Sequence, residues 1–411
     1  MNKFVKHLLV AAVLCVGCLA HAVGYQLYSE SSAEALAVGG AVVGMSGNIS
    51  NAWYNPASIT SFDRPAMMFG ATALLLGIHY DYEGGSDDLQ NSWRPTGFGY
   101  GIIPVGDDLT LGLSLNAPYG MITEWENDWK EAYMATYTNI RAVYFTPTLA
   151  WRISDEVSVA AGVNLVTSMA RLARNMPSAD GRRNKLFMHA EDPLAFGFTL
   201  AAFYQPHPEW GIGLHYQSRV KLDLEGGAKY RFPLDLGQGN VYRRCDVSTE
   251  MTMPSSLSFG VSNTSLEKWR FAFSVNWSEW STYDVQEIMF DSLPGTTGVK
   301  GKSRSIKEWD DSFSFRLGAE YTLNDNWILR TGYMYDMNQE NDKYRTPEIP
   351  DSDRHMLTFG VGYRTGNWGL DLTYGYLKFD ESKIGTLTGS TGNGDFKADV
   401  HIVSLAVSRE F

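Results

Sequence analysis

The chain has 411 residues, a formal net charge of −12 and 19% charged side chains. An acid excess of that size excludes a nucleic-acid partner, which needs a basic face. Three cysteines are too few for a disulfide framework, whereas aromatic residues reach 13%, with 22 Tyr and 12 Trp.

In chain order, residues 1–22 read as an export signal. Lys3 and Lys6 make the start positive, Leu8 to Leu19 form a short apolar core, and Ala20-His21-Ala22 has the small-x-small pattern of a cleavage site. Reading Cys18 instead as a lipid-modified cysteine puts Cys15 where that motif carries Leu. Cleavage leaves Cys245 alone, so no intrachain disulfide is expected. Beyond the signal no run approaches the ~20 apolar residues of a spanning helix. Ala66 to Ile78 is the most apolar stretch, and it is short and holds Thr72. An exported chain of this kind is periplasmic, secreted or a β-barrel.

Residues 23–64 do not alternate. They run through small residues from Ala33 to Gly44 and reach Asn51-Ala52-Trp53-Tyr54-Asn55-Pro56-Ala57. Small side chains let a backbone pack in a narrow lumen, so this segment is expected to be a plug. A disordered periplasmic tail would be poorer in apolar residues.

From residue 65 the pattern changes to period two. Trp269, Phe271, Phe273, Val275 and Trp277 share one face, opposite Arg270, Ala272, Ser274, Asn276 and Ser278. Leu109 to Leu115, Phe313 to Tyr321 and Trp368 to Tyr376 repeat this, with aromatic residues at segment ends. Apolar side chains to lipid and small or polar ones to the lumen are the pattern of a membrane strand. Fourteen strands are predicted, at about 65–80, 93–104, 109–118, 141–153, 157–169, 193–204, 211–222, 251–263, 269–281, 312–322, 327–337, 354–364, 368–379 and 398–411. Short connections such as 154–156, 264–268 and 365–367 alternate with long ones at about 118–140, 170–192, 224–250, 284–310, 338–353 and 380–397. A β-sandwich has no reason for that rhythm, whereas outer-membrane barrels put short turns inside and long loops outside. An even strand number places both ends on the periplasmic side, and Phe411 closes an apolar strand face as a barrel-assembly signal would. The expected fold is all-β: a 14-stranded antiparallel transmembrane β-barrel over residues 65–411 with an N-terminal plug.

Catalytic readings are weak. Gly301-Lys302-Ser303 carries the end of a phosphate-loop motif, but Gly295 lies one residue too far away and no strand–helix context surrounds it. His401 and Ser404 fall on opposite faces of a strand. The remaining histidines lack metal-ligand spacing. No enzyme activity, metal or cofactor is expected.

Several motifs occur in one order along the chain: Gly24-Tyr25-Gln26-Leu27, Asn55-Pro56-Ala57, Asn116-Ala117-Pro118-Tyr119-Gly120, Asn276-Trp277-Ser278-Glu279-Trp280 and Ile349-Pro350-Asp351-Ser352-Asp353-Arg354. In this the chain resembles the FadL family of outer-membrane transporters of long-chain fatty acids and, in one branch, aromatic hydrocarbons. The resemblance implies passive uptake of a long-chain fatty acid past a plug that contains Asn55, Pro56 and Ala57. It implies an apolar landing site on the external loops, where Leu186, Phe187 and Met188 stand beside Arg182, Arg183 and Lys185. It implies a cation for the carboxylate, with Arg171, Arg174 and Lys307 near the family's basic positions; a guanidinium can grip a carboxylate with two bonds. A kink in the third strand would release ligand sideways. Pro118 and Gly120 weaken the ladder there, and Gly112 is the alternative position. Uptake of monoaromatic hydrocarbons is the second expectation, and an adhesin or general porin the third. The other expected partners are outer-membrane lipid and lipopolysaccharide, with the protein a monomer.

Overall fold

The structure is a computed structural model that describes residues 28–90, 93–176, 184–233, 240–292, 299–390 and 393–411. The export signal, Gly24 to Leu27, Arg182 and Arg183 lie outside the described residues. No helix among those described is long and apolar enough to cross a membrane.

Fourteen antiparallel strands close into a barrel. β1 is Ala66–Tyr82, β2 Trp93–Val105, β3 Leu109–Glu124, β4 Tyr137–Arg152, β5 Val157–Met176 and β6 Asn184–His207. β7 is broken into Trp210–Gln217 and Val220–Pro233, and β8 into Asn240–Met253 and Ser256–Asn263. β9 is Trp269–Ser278, β10 Ser312–Thr322, β11 Trp327–Asp336, β12 Arg354–Thr365, β13 Trp368–Phe379 and β14 Asp395–Glu410. Closure comes from β1 against β14, in register from Ala66↔Glu410 to Asp81↔Asp395.

The alternation has its expected physical outcome in the membrane belt. Trp269, Phe271, Phe273, Leu370, Leu372, Leu405 and Val407 are exposed on the outside, while Ser274, Thr373, Asp371 and Ser404 are buried on the inside. Above the belt the pattern inverts. In β7 the exposed Trp210 and Leu214 give way, past the break at Ser218-Arg219, to buried Val220, Leu222 and Leu224 beside exposed Lys221, Asp223 and Glu225. β6 switches at Asp192-Pro193, from exposed Phe196 and Phe198 to buried Leu186 and Met188. β8 switches at Pro254-Ser255, from exposed Leu257 and Phe259 to buried Val247, Met251 and Met253. One irregular residue turns every later side chain to the other face. Each of these three strands thus carries its apolar side outward in lipid and inward above it.

This inversion corrects the expected loops. The stretches 170–192 and 224–250 continue as paired strands, and 284–310 contains a hairpin, Val285–Phe290 with Gly301–Ile306, that docks on the outer half of β8. Charge on the outer face marks the end of the lipid belt, not the end of the strand.

Residues 28–64 touch inward-facing side chains around the circumference, which places them in the lumen. Thr373 Oγ1 donates to the Ala33 carbonyl, Thr358 Oγ1 to that of Ala37, and Ser262 Oγ to that of Gly44 (2.7, 3.1 and 2.7 Å). The wall is cut away to admit them. A Cβ on Gly213 would strike the Val43 carbonyl, and one on Gly332 would strike the Gly39 backbone.

Candidate functional site

The inverted halves of β6, β7 and β8 roof a cavity of about 490 Å³ above the barrel. Met188, Leu224, Met251, Ile288 and Phe290 supply its apolar wall, and Arg174 and Lys307 enter the same space. Flexible methionines suit a greasy ligand of variable shape. Lys307 is 3% exposed, and its Nζ meets Glu348 Oε2 at 3.1 Å and Thr346 Oγ1 at 3.2 Å. Burial works to raise the Glu348 carboxyl, but the Lys307 ammonium, the hydrogen bond from Thr346 and the Arg174 charge together hold it below its ordinary range. The cationic end of the cavity therefore already contains one carboxylate of the protein's own.

Of the six residues expected to carry ligand, Arg174, Lys307 and Met188 come together at this cavity. Leu186 is buried in a neighbouring cluster with Tyr230, Val247 and Phe290. Phe187 points the other way and is 39% exposed, as strand alternation requires once the segment is a strand and not a loop. Arg171, still within β5 opposite His189, does not line the cavity. Arg171 and Arg174 are three residues apart on one strand, which already sets them on opposite faces. Sequence reasoning missed Glu348 and the aromatic residues below the cavity, although Trp280 and Ile349 stand in motifs that it had singled out.

From the cavity an unbroken series of rings leads down to the N-terminal segment. Tyr283 lines the cavity and meets Trp309 with ring centroids 4.8 Å apart, and Trp309 meets Trp280 at 5.3 Å. Trp280 reaches Tyr119 at 6.0 Å, Tyr119 reaches Tyr144 at 5.8 Å, and Tyr144 reaches Trp53 at 5.8 Å. Edge-to-face contacts dominate this series, as the ring quadrupoles favour.

Tyr119 lies where β3 parts from β2 while staying paired with β4. The β3–β4 register slips between Asn116 and Tyr119, so Ala117 and Pro118 form a bulge. Pairing of β3 with β2 ends at Gly99↔Leu115, and residues 116–123 are buried on both faces. Proline has no N–H to give a ladder. Higher up, the Gln90 N–H donates to the Glu124 carbonyl at 2.7 Å and closes the interval from above. Gly120 lies within the displaced stretch. Gly112 does not: it sits in regular pairing with Thr148, and a Cβ there would press on Ile59 of the luminal segment. Its missing side chain makes room and does not bend the strand.

Asn55, Pro56 and Ala57 form a built joint. Asn55 Nδ2 donates to the carbonyls of Val43 at 2.8 Å and of Ala202 in β6 at 3.3 Å, while its Oδ1 accepts the Ala57 N–H at 3.2 Å. Pro56 starts the short 3₁₀ turn that this cap opens. The other end of the segment is held by charge. Glu34 meets Arg330 at 3.1 Å, and Arg330 also bonds Glu320 at 2.6 Å and Asp371 at 2.7 Å. Arg364 and Arg270 add pairs to Asp371 and Glu320 at 3.0 and 3.1 Å.

The family model described as "Outer membrane protein transport protein (OMPP1/FadL/TodX)" matches residues 13–411. The long-chain fatty acid transport protein of Escherichia coli O6:H1 (strain CFT073) is 24% identical over 403 residues, covering 88% of this chain and 87% of that protein. A crystal structure of a Pseudomonas aeruginosa FadL homologue has a TM-score of 0.81 at 19% identity, over 95% of this chain and 100% of that one. The crystal structure of the P. putida toluene transporter TodX has a TM-score of 0.78 at 16% identity, over 94% and 99%. At these identities the two structures show the shared fold.

Proposed function

The chain belongs to the OMPP1/FadL/TodX family of outer membrane transport proteins, and on that premise we propose that it takes up long-chain fatty acids passively across the bacterial outer membrane. The observation that carries this reading is the cavity of about 490 Å³ with an apolar wall and three cations in its lining, Arg174, Arg304 and Lys307. A dry cavity of ~150 Å³ suffices for a benzene ring, so this one has room for a long chain. An amphiphile lands from outside, places its tail among Met188, Leu224 and Met251, and brings its carboxylate to the cations. It then descends along the rings to Tyr119 and leaves sideways between β2 and β3, where Ala117-Pro118 interrupts the ladder. Residues 28–64 act as the plug that bars the straight route.

The Lys307–Glu348 pair favours a second ligand class. A site whose cation is already neutralised gives a carboxylate less, and neutral aromatic compounds need no such partner. Glu348→Gln separates the two readings. If fatty acids are the ligand, removal of the competing charge tightens oleate binding about tenfold, the scale of one charge-assisted hydrogen bond, and leaves toluene binding as it was. Unchanged oleate binding assigns the cavity to neutral compounds. Arg174→Ala with Lys307→Ala should abolish preference for oleate over methyl oleate, and uptake indifferent to both substitutions rejects the carboxylate role.

A further inference from the structure

The stretch of β2 that faces the wall interruption carries a charge that the transport path above does not use. Arg94 pairs through its backbone with Leu74 of β1 on one edge, while the other edge of β2 has no ladder partner until Gly99. Its side chain is turned inward and is 2% exposed. Nη1 donates to the neighbouring Trp93 carbonyl at 2.9 Å. Nε and Nη2 are buried and have no hydrogen-bond partner among the described residues. These two nitrogens form the edge of a guanidinium that a carboxylate takes side-on with two bonds. Glu124, at the end of the displaced stretch of β3, acts on Arg94 through space, as does Tyr137, but neither bonds it. A buried cation lacking a bonded counter-charge is costly in any fold, and inside a membrane protein it marks a functional position by default.

We propose that Arg94 is an anion-binding residue of the wall opening, taking the carboxylate of the transported amphiphile as it leaves between β2 and β3. This rests on the uptake reading and on sideways release. Arg174 and Lys307 would then meet the head at entry and Arg94 at exit. The ligand class is an amphiphile with a planar anionic head. Its methyl ester shares the tail but lacks the charge.

The test uses the full chain in phosphatidylcholine vesicles and follows transfer of oleate and of methyl oleate into the bilayer. Arg94→Gln should slow oleate transfer about tenfold while methyl oleate transfer keeps its wild-type rate. Arg94→Lys should recover most of the oleate rate. Glu124→Gln should match wild type or exceed it. If wild type moves neither compound, the uptake reading fails and the proposal with it. If wild type moves both and Arg94→Gln keeps the oleate rate, Arg94 alone is misassigned. Equal slowing of acid and ester means a structural role, and a loss in Glu124→Gln that copies Arg94→Gln means that Arg94 serves Glu124. Phosphatidylglycerol that slows oleate transfer by wild type and not by Arg94→Gln would give the site to membrane lipid. Any of these three results overturns the proposal.

Discussion

In β6, β7 and β8 the membrane belt and the extracellular rim are built from the same strands with opposite polarity. In the belt, Phe196, Leu214 and Phe259 face lipid, and the lumen is lined by side chains such as Ser258, Asn276, Arg330 and Asp371. In the rim, Met188, Leu224 and Met251 face inward, and Lys221, Asp223 and Glu250 face water. The difference shows that an oily interior in a membrane barrel need not come from an oily lumen. Breaks at Pro193, Ser218-Arg219 and Pro254 turn the strands over where the lipid ends, and hydrophobic burial then works inward. The belt sets polar inward side chains against residues 28–64, and the rim encloses the apolar cavity that we propose for the ligand.

The largest expected effect breaks the belt half of this comparison. Arg330→Ala leaves Glu34, Glu320 and Asp371 close together without their shared cation, which should destabilise the luminal packing by ~3–5 kcal/mol. Thermal unfolding of the detergent-solubilised protein should shift downward, and vesicles containing the variant should swell faster in small sugars. A variant as stable and as tight as wild type shows that the charges do not hold the segment. Leu224→Ser with Met251→Ser breaks the rim half instead. Loss of apolar wall should weaken binding of both oleate and toluene about a hundredfold, since burying each such side chain is worth at least ~1.5 kcal/mol. Unfolding of the belt should not follow, and coupled loss of stability would mean that the two regions are one cooperative unit.

The smallest effect sharpens the comparison through pH. Because Glu348 is held below its ordinary value of 4.5, its ion pair contributes stability that is fully present above that pH and lost as pH falls through the lowered value. Wild type and Glu348→Gln should thus be equal in thermal stability only in strong acid, where wild-type Glu348 is already neutral. A difference between the two proteins that is constant down to that range, and vanishes below it, is the expected titration.

The belt was legible in the sequence because lipid demands an uninterrupted period of two, and the strands of β9, β10, β13 and β14 were placed from that alone. The upper extensions of β6, β7 and β8 were not, because there the charged face looks outward, as in any solvated loop. Pro118 was legible as a ladder breaker, whereas Gly112, equally a candidate on composition, turns out to accommodate Ile59. Arg171 and Phe187 were misplaced by treating paired strands as loops, an error that their spacing from Arg174 and Met188 could have exposed. Glu348 and Trp309 had no local signal. Glu348 lines the cavity and Trp309 packs below it, both from far along the chain, and only the closed barrel brings Glu348 to Arg174.

Quenching by a dibrominated long-chain fatty acid tests most directly whether the rim holds the ligand. Trp280 and Trp309 are buried below the cavity (1% and 4% exposed), whereas Trp269, Trp327 and Trp368 face the detergent. Occupation of the cavity predicts a saturable quenching component that disappears in Trp280→Phe with Trp309→Phe and weakens in Arg174→Ala. Quenching that is unsaturable and identical in both variants would place the fatty acid in the detergent belt and contradict a ligand site in the rim.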